Sequence, residues 1–165
     1  MKRTHTWALL AVIVGAGAYA STLLATPSSG FTGATLAVAR FDEIDVESPT
    51  NQANPWQAKL KTKGLSEVYV QNNTWTPGGS TGWHTHPGHS LILVTEGTVT
   101  GYDGHDPACK PHVYSVGMGF VDPGGGHVHL LRNEGSGVAR TIAVQTIPAG
   151  AVRRIDAPAP GNCAF

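Results

Sequence analysis

Twice in this 165-residue chain a turn built from Gly and Pro is followed by two histidines spaced two apart, and each pair leads on to a hairpin. Pro77-Gly78-Gly79-Ser80 precedes His84-Thr85-His86, with a tight reversal at Glu96-Gly97. Asp122-Pro123-Gly124-Gly125-Gly126 precedes His127-Val128-His129, with a wider reversal at Asn133-Glu134-Gly135-Ser136-Gly137. Two similar halves of short strands, separated by residues that tolerate positive φ or lack an N–H, favour a jelly-roll barrel. Gly (21) and Pro (11) are too frequent, and Val and Thr too clustered in short runs, for packed helices, so the fold class is all-β.

Alternation between the turns places the strands. They are expected at Thr35 to Arg40, Trp56 to Lys61, Leu65 to Gln71, Trp83 to His86, Ser90 to Thr95 and Thr98 to Tyr102, then at His112 to Ser115, Gly119 to Val121, His127 to Arg132 and Ala139 to Thr146. In the third of these Val68 and Val70 share one face and Glu67, Tyr69 and Gln71 the other. Residues 21–55 then form a leading strand and linker, 56–147 a barrel, and 148–165 a C-terminal tail. The length leaves room for one domain.

The first twenty residues read as a targeting segment. Lys2 and Arg3 form a basic start, Trp7 to Ala20 is apolar and uncharged, and Ala18-Tyr19-Ala20 offers a signal-peptidase site with Ser21 as the first mature residue. The alternative is an uncleaved anchor reaching about residue 26, because the uncharged run continues to about Phe31 and a span needs about 20 mostly apolar residues. Either way the basic start stays inside and the remainder is exported, secreted or membrane-tethered. An oxidising compartment permits a disulfide between Cys109 and Cys163, the one intramolecular pairing two cysteines allow. Two unpaired thiols are the alternative. The formal charge is zero and neither sign clusters, which argues against nucleic acid and against a membrane surface apart from that anchor. A small-molecule ligand or substrate remains.

Histidines two apart on a strand project to one face, so the imidazoles of His84 and His86 can converge on an ion. A second such pair, His127 and His129, lies on a second ribbon. Nitrogen donors suit a divalent transition metal (Fe, Zn, Mn, Ni, Cu or Co) better than Mg²⁺ or Ca²⁺.

These residues carry a family resemblance. Gly78-x5-His84-x-His86-x3-Ser90-x6-Gly97 resembles the first cupin motif, G-x5-H-x-H-x3,4-E-x6-G. Gly117-x5-Pro123-x-Gly125-x3-His129-x3-Asn133 is similar to the second, G-x5-P-x-G-x2-H-x3-N, with one extra residue before the histidine. The resemblance covers roughly residues 56 to 147. It implies a double-stranded β-helix, barrels that can pair through sheet edges into a homodimer, and one divalent metal on three histidines. His129 keeps the His-x3-Asn relation, so the third ligand is carried onto His129, with His127 as its substitute. The acidic position is Ser90, which leaves a neutral three-histidine set with more positions open. His89 could replace the missing ligand through a bulge at Pro87-Gly88, although strand parity points it the other way.

The other candidates are weaker. His105 and His112 flank the Cys109 loop and read as solvated. Trp75 and Trp83 could wall a ligand or pack the core, and Glu96 reads as a turn residue. Arg132, Arg140, Arg153 and Arg154 could bind an acidic substrate if one enters the barrel. Carboxylates fall mostly in turns, so no general base is evident and catalytic residues stay unassigned; a metal-bound hydroxide, His127 or His89 would have to move protons. The resulting expectation is an exported metal-binding cupin, either an oxidoreductase of dioxygenase type or a non-catalytic binder of a small molecule or metal. A metal-free structural barrel is the third reading.

Overall fold

The computed structural model describes residues 25–48, 53 and 55–165, so the expected targeting segment at 1–20, and all but the end of the anchor alternative reaching about residue 26, lie outside the described residues. Twelve strands and no helix are present among the described residues, and none of these forms a helix long and apolar enough to cross a membrane. In chain order they are β1 (Ser29–Phe41), β2 (Asp45–Ser48), β3 (Ala58–Lys61), β4 (Ser66–Ser80), β5 (His84–Thr85) and β6 (Ser90–Glu96). β7 (Thr98–Asp103), β8 (His112–Ser115), β9 (Gly119–Asp122), β10 (His129–Arg132), β11 (Ala139–Pro148) and β12 (Ile155–Asp156) follow.

Ten of these strands form one antiparallel sheet that curls into a nearly closed jelly-roll barrel, in the order β12-β5-β10-β4-β11-β6-β9, with β1 on β4 and β7 joining β10 to β8. β2 and β3 form a separate two-stranded ribbon. The tight hairpin at Glu96-Gly97 forms as expected. Gly97 has φ +66°, and a Cβ there would collide with the Val138 carbonyl, so only glycine turns the chain at that point.

Three expectations need correcting. Pro77-Gly78-Gly79-Ser80 is not a turn but the end of the 15-residue β4. The ladder with β1 carries it through: Ser29 pairs with Ser80, a register shift follows, and Phe31 pairs with Trp75. Trp83 to His86 shortens to His84–Thr85, paired with β12, a strand not expected at all. Strand β10 begins at His129, so His127 and Val128 belong to the preceding turn and the expectation that His127 and His129 share a strand face does not apply.

The core has two parts. Trp75 packs with Val99, Leu131 and Ala139, flanked by Phe31 and Phe120; Trp83 packs with Tyr102, Leu130 and Ala157. Asn133, fully buried, closes the β10–β11 turn: its Nδ2 donates to the carbonyls of Trp75 (3.3 Å) and Gly137 (2.7 Å), and its Oδ1 accepts from Gly135 N–H (3.0 Å). The second motif's Asn is thus a backbone clasp. Cys109 and Cys163 form the expected disulfide, with a Cα–Cα distance of 5.3 Å. It fastens the C-terminal tail over the 103–111 loop, where Asn162 Nδ2 donates to the carbonyls of Asp103 and Asp106.

Candidate metal centre

Strand pairing brings the histidines together. β5 lies against β10 with His84 directly opposite His129, so the two side chains share a face, and His86 follows at the end of β5. All three are buried, at 4–8 % exposure, and one ring nitrogen of each lies within 4.8 Å of the others. Ring centroids are 4.8 Å apart for His84 and His86, 4.3 Å for His84 and His129, and 5.4 Å for His86 and His129.

Each ring is oriented by the backbone. His84 Nδ1 meets the Gly82 carbonyl at 3.0 Å, His86 Nδ1 the Arg153 carbonyl at 2.7 Å, and His129 Nδ1 the His127 carbonyl at 3.3 Å. A carbonyl can only accept, so the Nδ1 atoms carry the protons and the Nε2 lone pairs are free; this outer support is what metal-ligating histidines use to set their tautomer. Burial lowers all three pKa values, His129 to about 4, and the mutual repulsion of the rings adds to the effect at His84. The imidazoles are therefore neutral at pH 7.

Asp122, which by composition belongs to a turn, lines the cavity of the three histidines and groups with His127 and His129. It ends β9, is 4 % exposed, and its Oδ1 accepts from Gly124 N–H at 3.0 Å. Oδ2 is buried without a hydrogen-bond partner and lies 3.8 Å from His86 Nε2. A buried carboxylate oxygen with no donor is costly; here it faces the unprotonated Nε2 of His86, while Oδ1 lies 3.7 Å from His129 Nδ1. The three imidazole donors fit a divalent ion.

The remaining expected residues are placed as follows. His127 is half-buried between two carboxylates, with its Nε2 3.2 Å from Asp103 Oδ1 and its buried Nδ1 3.7 Å from Asp122 Oδ1. With His105 and Asp103 it forms a second, more open cluster, and with Asp122 and His129 a third. His89 belongs to none of the three candidate clusters among the described residues. Arg140 pairs with Glu96 on the surface, and Arg132 lies over the Phe165 ring. Trp83 is packing, whereas Trp75 both packs and lines the site's cavity.

That cavity, of about 50 Å³, is also lined by Gln71, Asn73, Gln145, Arg153 and Arg154. The interior face of β4 is thus the one bearing Gln71, not the valine face. Arg153 donates to Gln71 Oε1 at 2.7 Å, and no carboxylate pairs with it among the described residues. Arg154 is engaged by Asp156 and the Thr81 carbonyl. A second cavity of about 160 Å³ opens on the other side of Asp122 and His129, walled by Tyr102, Tyr114, Phe120 and His127.

Comparison with known proteins agrees with this architecture. Residues 73–145 match the Cupin_2 family, described as a cupin domain. Among solved structures the chain is similar to the polyketide cyclase RemF from Streptomyces resistomycificus (16% identity, 84% of this chain and 81% of that one, TM-score 0.52). A cupin domain from Bordetella pertussis aligns at 17% identity over 64% of this chain and 93% of that one, with a TM-score of 0.42. An oxalate oxidase aligns at 22% identity and TM-score 0.42 over 50% of this chain and 46% of that one, so the chain spans about half that protein's length. The similarity to the polyketide cyclase concerns the fold alone. No curated protein matches the chain.

Proposed function

From the premise that residues 73–145 form a cupin domain, we propose that this chain works outside the cytoplasm and holds one divalent transition-metal ion through Nε2 of His84, His86 and His129. The observation that carries this reading is the convergence of three buried imidazoles from two separated segments, each with its Nδ1 on a backbone carbonyl. A disulfide between the only two cysteines fits an oxidising compartment and delivery by the N-terminal segment.

When bound, such an ion supplies a Lewis acid and, if redox-active, an electron-transfer centre, the basis of the dioxygenase-type activity we assign. The chain supplies the rest. Arg153, half-buried and lacking a carboxylate partner, favours a small molecule with an anionic or carbonyl oxygen. The small inner cavity admits few atoms beside the ion, so a larger body rests in the aromatic cavity across Asp122 and His129. Non-catalytic capture of the same molecule is the second reading, because Asp122, the one carboxylate lining the inner cavity, is held by Gly124 N–H.

Metal analysis of the oxidised protein should find about one ion per chain, and His84→Ala or His129→Ala should each reduce it to a trace. Protein that takes up no transition metal under any loading condition contradicts the reading. Oxygen consumption during a screen of small carboxylates and carbonyl compounds separates turnover from capture.

A further inference from the structure

Apart from the three histidines inside the barrel, two further imidazoles meet a carboxylate at the rim of the aromatic cavity. We infer that Asp103, His105 and His127 form a second, outer binding site for a divalent transition-metal ion, with Zn²⁺ the best match. The inference does not depend on the inner centre, since the two sites share no ligand.

Strand pairing builds the outer site. Asp103 ends β7 opposite His129 at the start of β10, and Gly104 N–H donates to the Val128 carbonyl at 2.9 Å. Continuing that antiparallel register sets His105 across from His127. The two segments approach closely because residue 104 is glycine: a Cβ there would meet the Val128 carbonyl at 2.9 Å. Asp103 Oδ1 accepts from His105 N–H at 2.8 Å, which fixes the carboxylate. The C-terminal tail is bonded to the same turn, where Asn162 Nδ2 donates to the Asp103 carbonyl at 2.9 Å.

The donor spacing is that of a coordination shell. His127 Nε2 lies 3.2 Å and His105 Nδ1 3.4 Å from Asp103 Oδ1. Bonds of about 2.0–2.2 Å arranged tetrahedrally around Zn²⁺ put neighbouring donors about 3.3–3.5 Å apart. The third edge, between the two imidazoles, is within 4.8 Å, and His105 is exposed, so rotation of its ring closes it.

Hydrogen bonds alone do not satisfy this cluster. A carboxylate oxygen offers two lone pairs, and the backbone N–H of His105 occupies one on Oδ1, so the two imidazoles compete for the other. His127 also stands between two carboxylates, its Nε2 facing Asp103 and its buried, unpartnered Nδ1 lying 3.7 Å from Asp122 Oδ1. A neutral imidazole has one N–H for these two acceptors. An ion on Nε2 leaves that proton on Nδ1, directed towards Asp122, and this carboxylate–histidine–metal arrangement is the usual support of a ligating imidazole.

Two imidazoles and one carboxylate leave a fourth position open, the composition of a zinc site that also takes water or a ligand. Asp103 and His127 line the aromatic cavity of about 160 Å³, so an ion held there offers that position to a carboxylate or carbonyl oxygen at the cavity rim. The His127 carbonyl meets His129 Nδ1 at 3.3 Å, so the residue that holds the outer ion also orients an inner ligand. Partly exposed and one protein ligand short of a closed shell, the outer site is the weaker of the two. It releases its ion in metal-free buffer and fills on added metal.

Calorimetric titration of the metal-free, disulfide-intact protein with Zn²⁺ tests this. The parent protein should take up two equivalents, the second more weakly. His105→Ala, at an exposed position, and Asp103→Asn, which keeps an acceptor for His105 N–H, should each weaken the second equivalent by roughly tenfold or more and leave the first unchanged. His84→Ala should lose the tight equivalent and keep the weak one, which adding His105→Ala then removes. A second equivalent that survives both His105→Ala and Asp103→Asn is adventitious surface binding and overturns the inference. So does a parent protein that binds one ion, lost with His84→Ala and kept with His105→Ala. One ion lost with His105→Ala and kept with His84→Ala upholds the outer site and sinks the three-histidine reading instead. A parent protein that binds no Zn²⁺ overturns both.

Discussion

Metal-free protein should lose on the order of 3 kcal/mol of folding stability, or more, as the pH falls from 6.5 to 4. In the unfolded chain each imidazole titrates near 6.5, whereas burial holds His129 at about 4 and lowers His84 and His86 as well. Below pH 6.5 the unfolded chain therefore takes up protons that the folded chain refuses, and the equilibrium shifts towards unfolding. The stabilisation is fully present above pH 6.5 and is lost as the pH passes down to the folded-state values. His129 alone accounts for about 3 kcal/mol, at roughly 1.4 kcal/mol for each tenfold change in the proton equilibrium. Urea unfolding at half-unit pH intervals measures it. A bound ion competes with protons for the same nitrogens, so loading with Zn²⁺ should move the acid transition to lower pH. A flat stability profile between pH 7 and 4.5 in the metal-free protein would show that the rings are not buried together as described.

The second large effect concerns the tail. Replacing Cys109 and Cys163 with Ser opens a loop spanning 54 residues of separation, which should cost about 4 kcal/mol by the chain-entropy relation, or a melting temperature lower by roughly 10–15 °C. Native-state contacts add to it: Phe165 packs on Tyr102 with ring centroids 4.9 Å apart, and Arg132 lies 4.2 Å over the Phe165 ring. His129 lies within the closed loop, but β10 is held by its pairing with β5 and β7, so metal stoichiometry should be unchanged. A variant as stable as the parent, within about 1 kcal/mol in metal-free buffer, contradicts this account of the tail.

Much of this molecule was legible from residue types and spacing, because the informative features are local. Histidines two apart, Gly-rich turns and the Glu96-Gly97 hairpin act through strand parity and φ, which nearest neighbours determine. The disulfide was legible because two cysteines allow one pairing. What escaped reading depends on which strand lies beside which. Asp122 precedes Pro123-Gly124 and has the composition of a turn; only its pairing with Ser90 turns it inward. Pro77 to Ser80 looks like a turn until β1 is laid alongside it. The face of β4 bearing Gln71 reads as solvent-facing by polarity, yet it lines a polar cavity, and Arg153 enters that cavity from a segment with no motif. His127 has the spacing of a strand residue, but it sits in the turn between Asp103 and Asp122.

The central claim is that imidazoles from two strands hold one ion inside the barrel. Anomalous scattering from crystals of the metal-loaded protein, recorded on both sides of the ion's absorption edge, locates that ion without assumptions about activity. The account predicts one strong peak bounded by Nε2 of His84, His86 and His129. A peak among Asp103, His105 and His127 instead, or no peak inside the barrel from fully loaded protein, would contradict it.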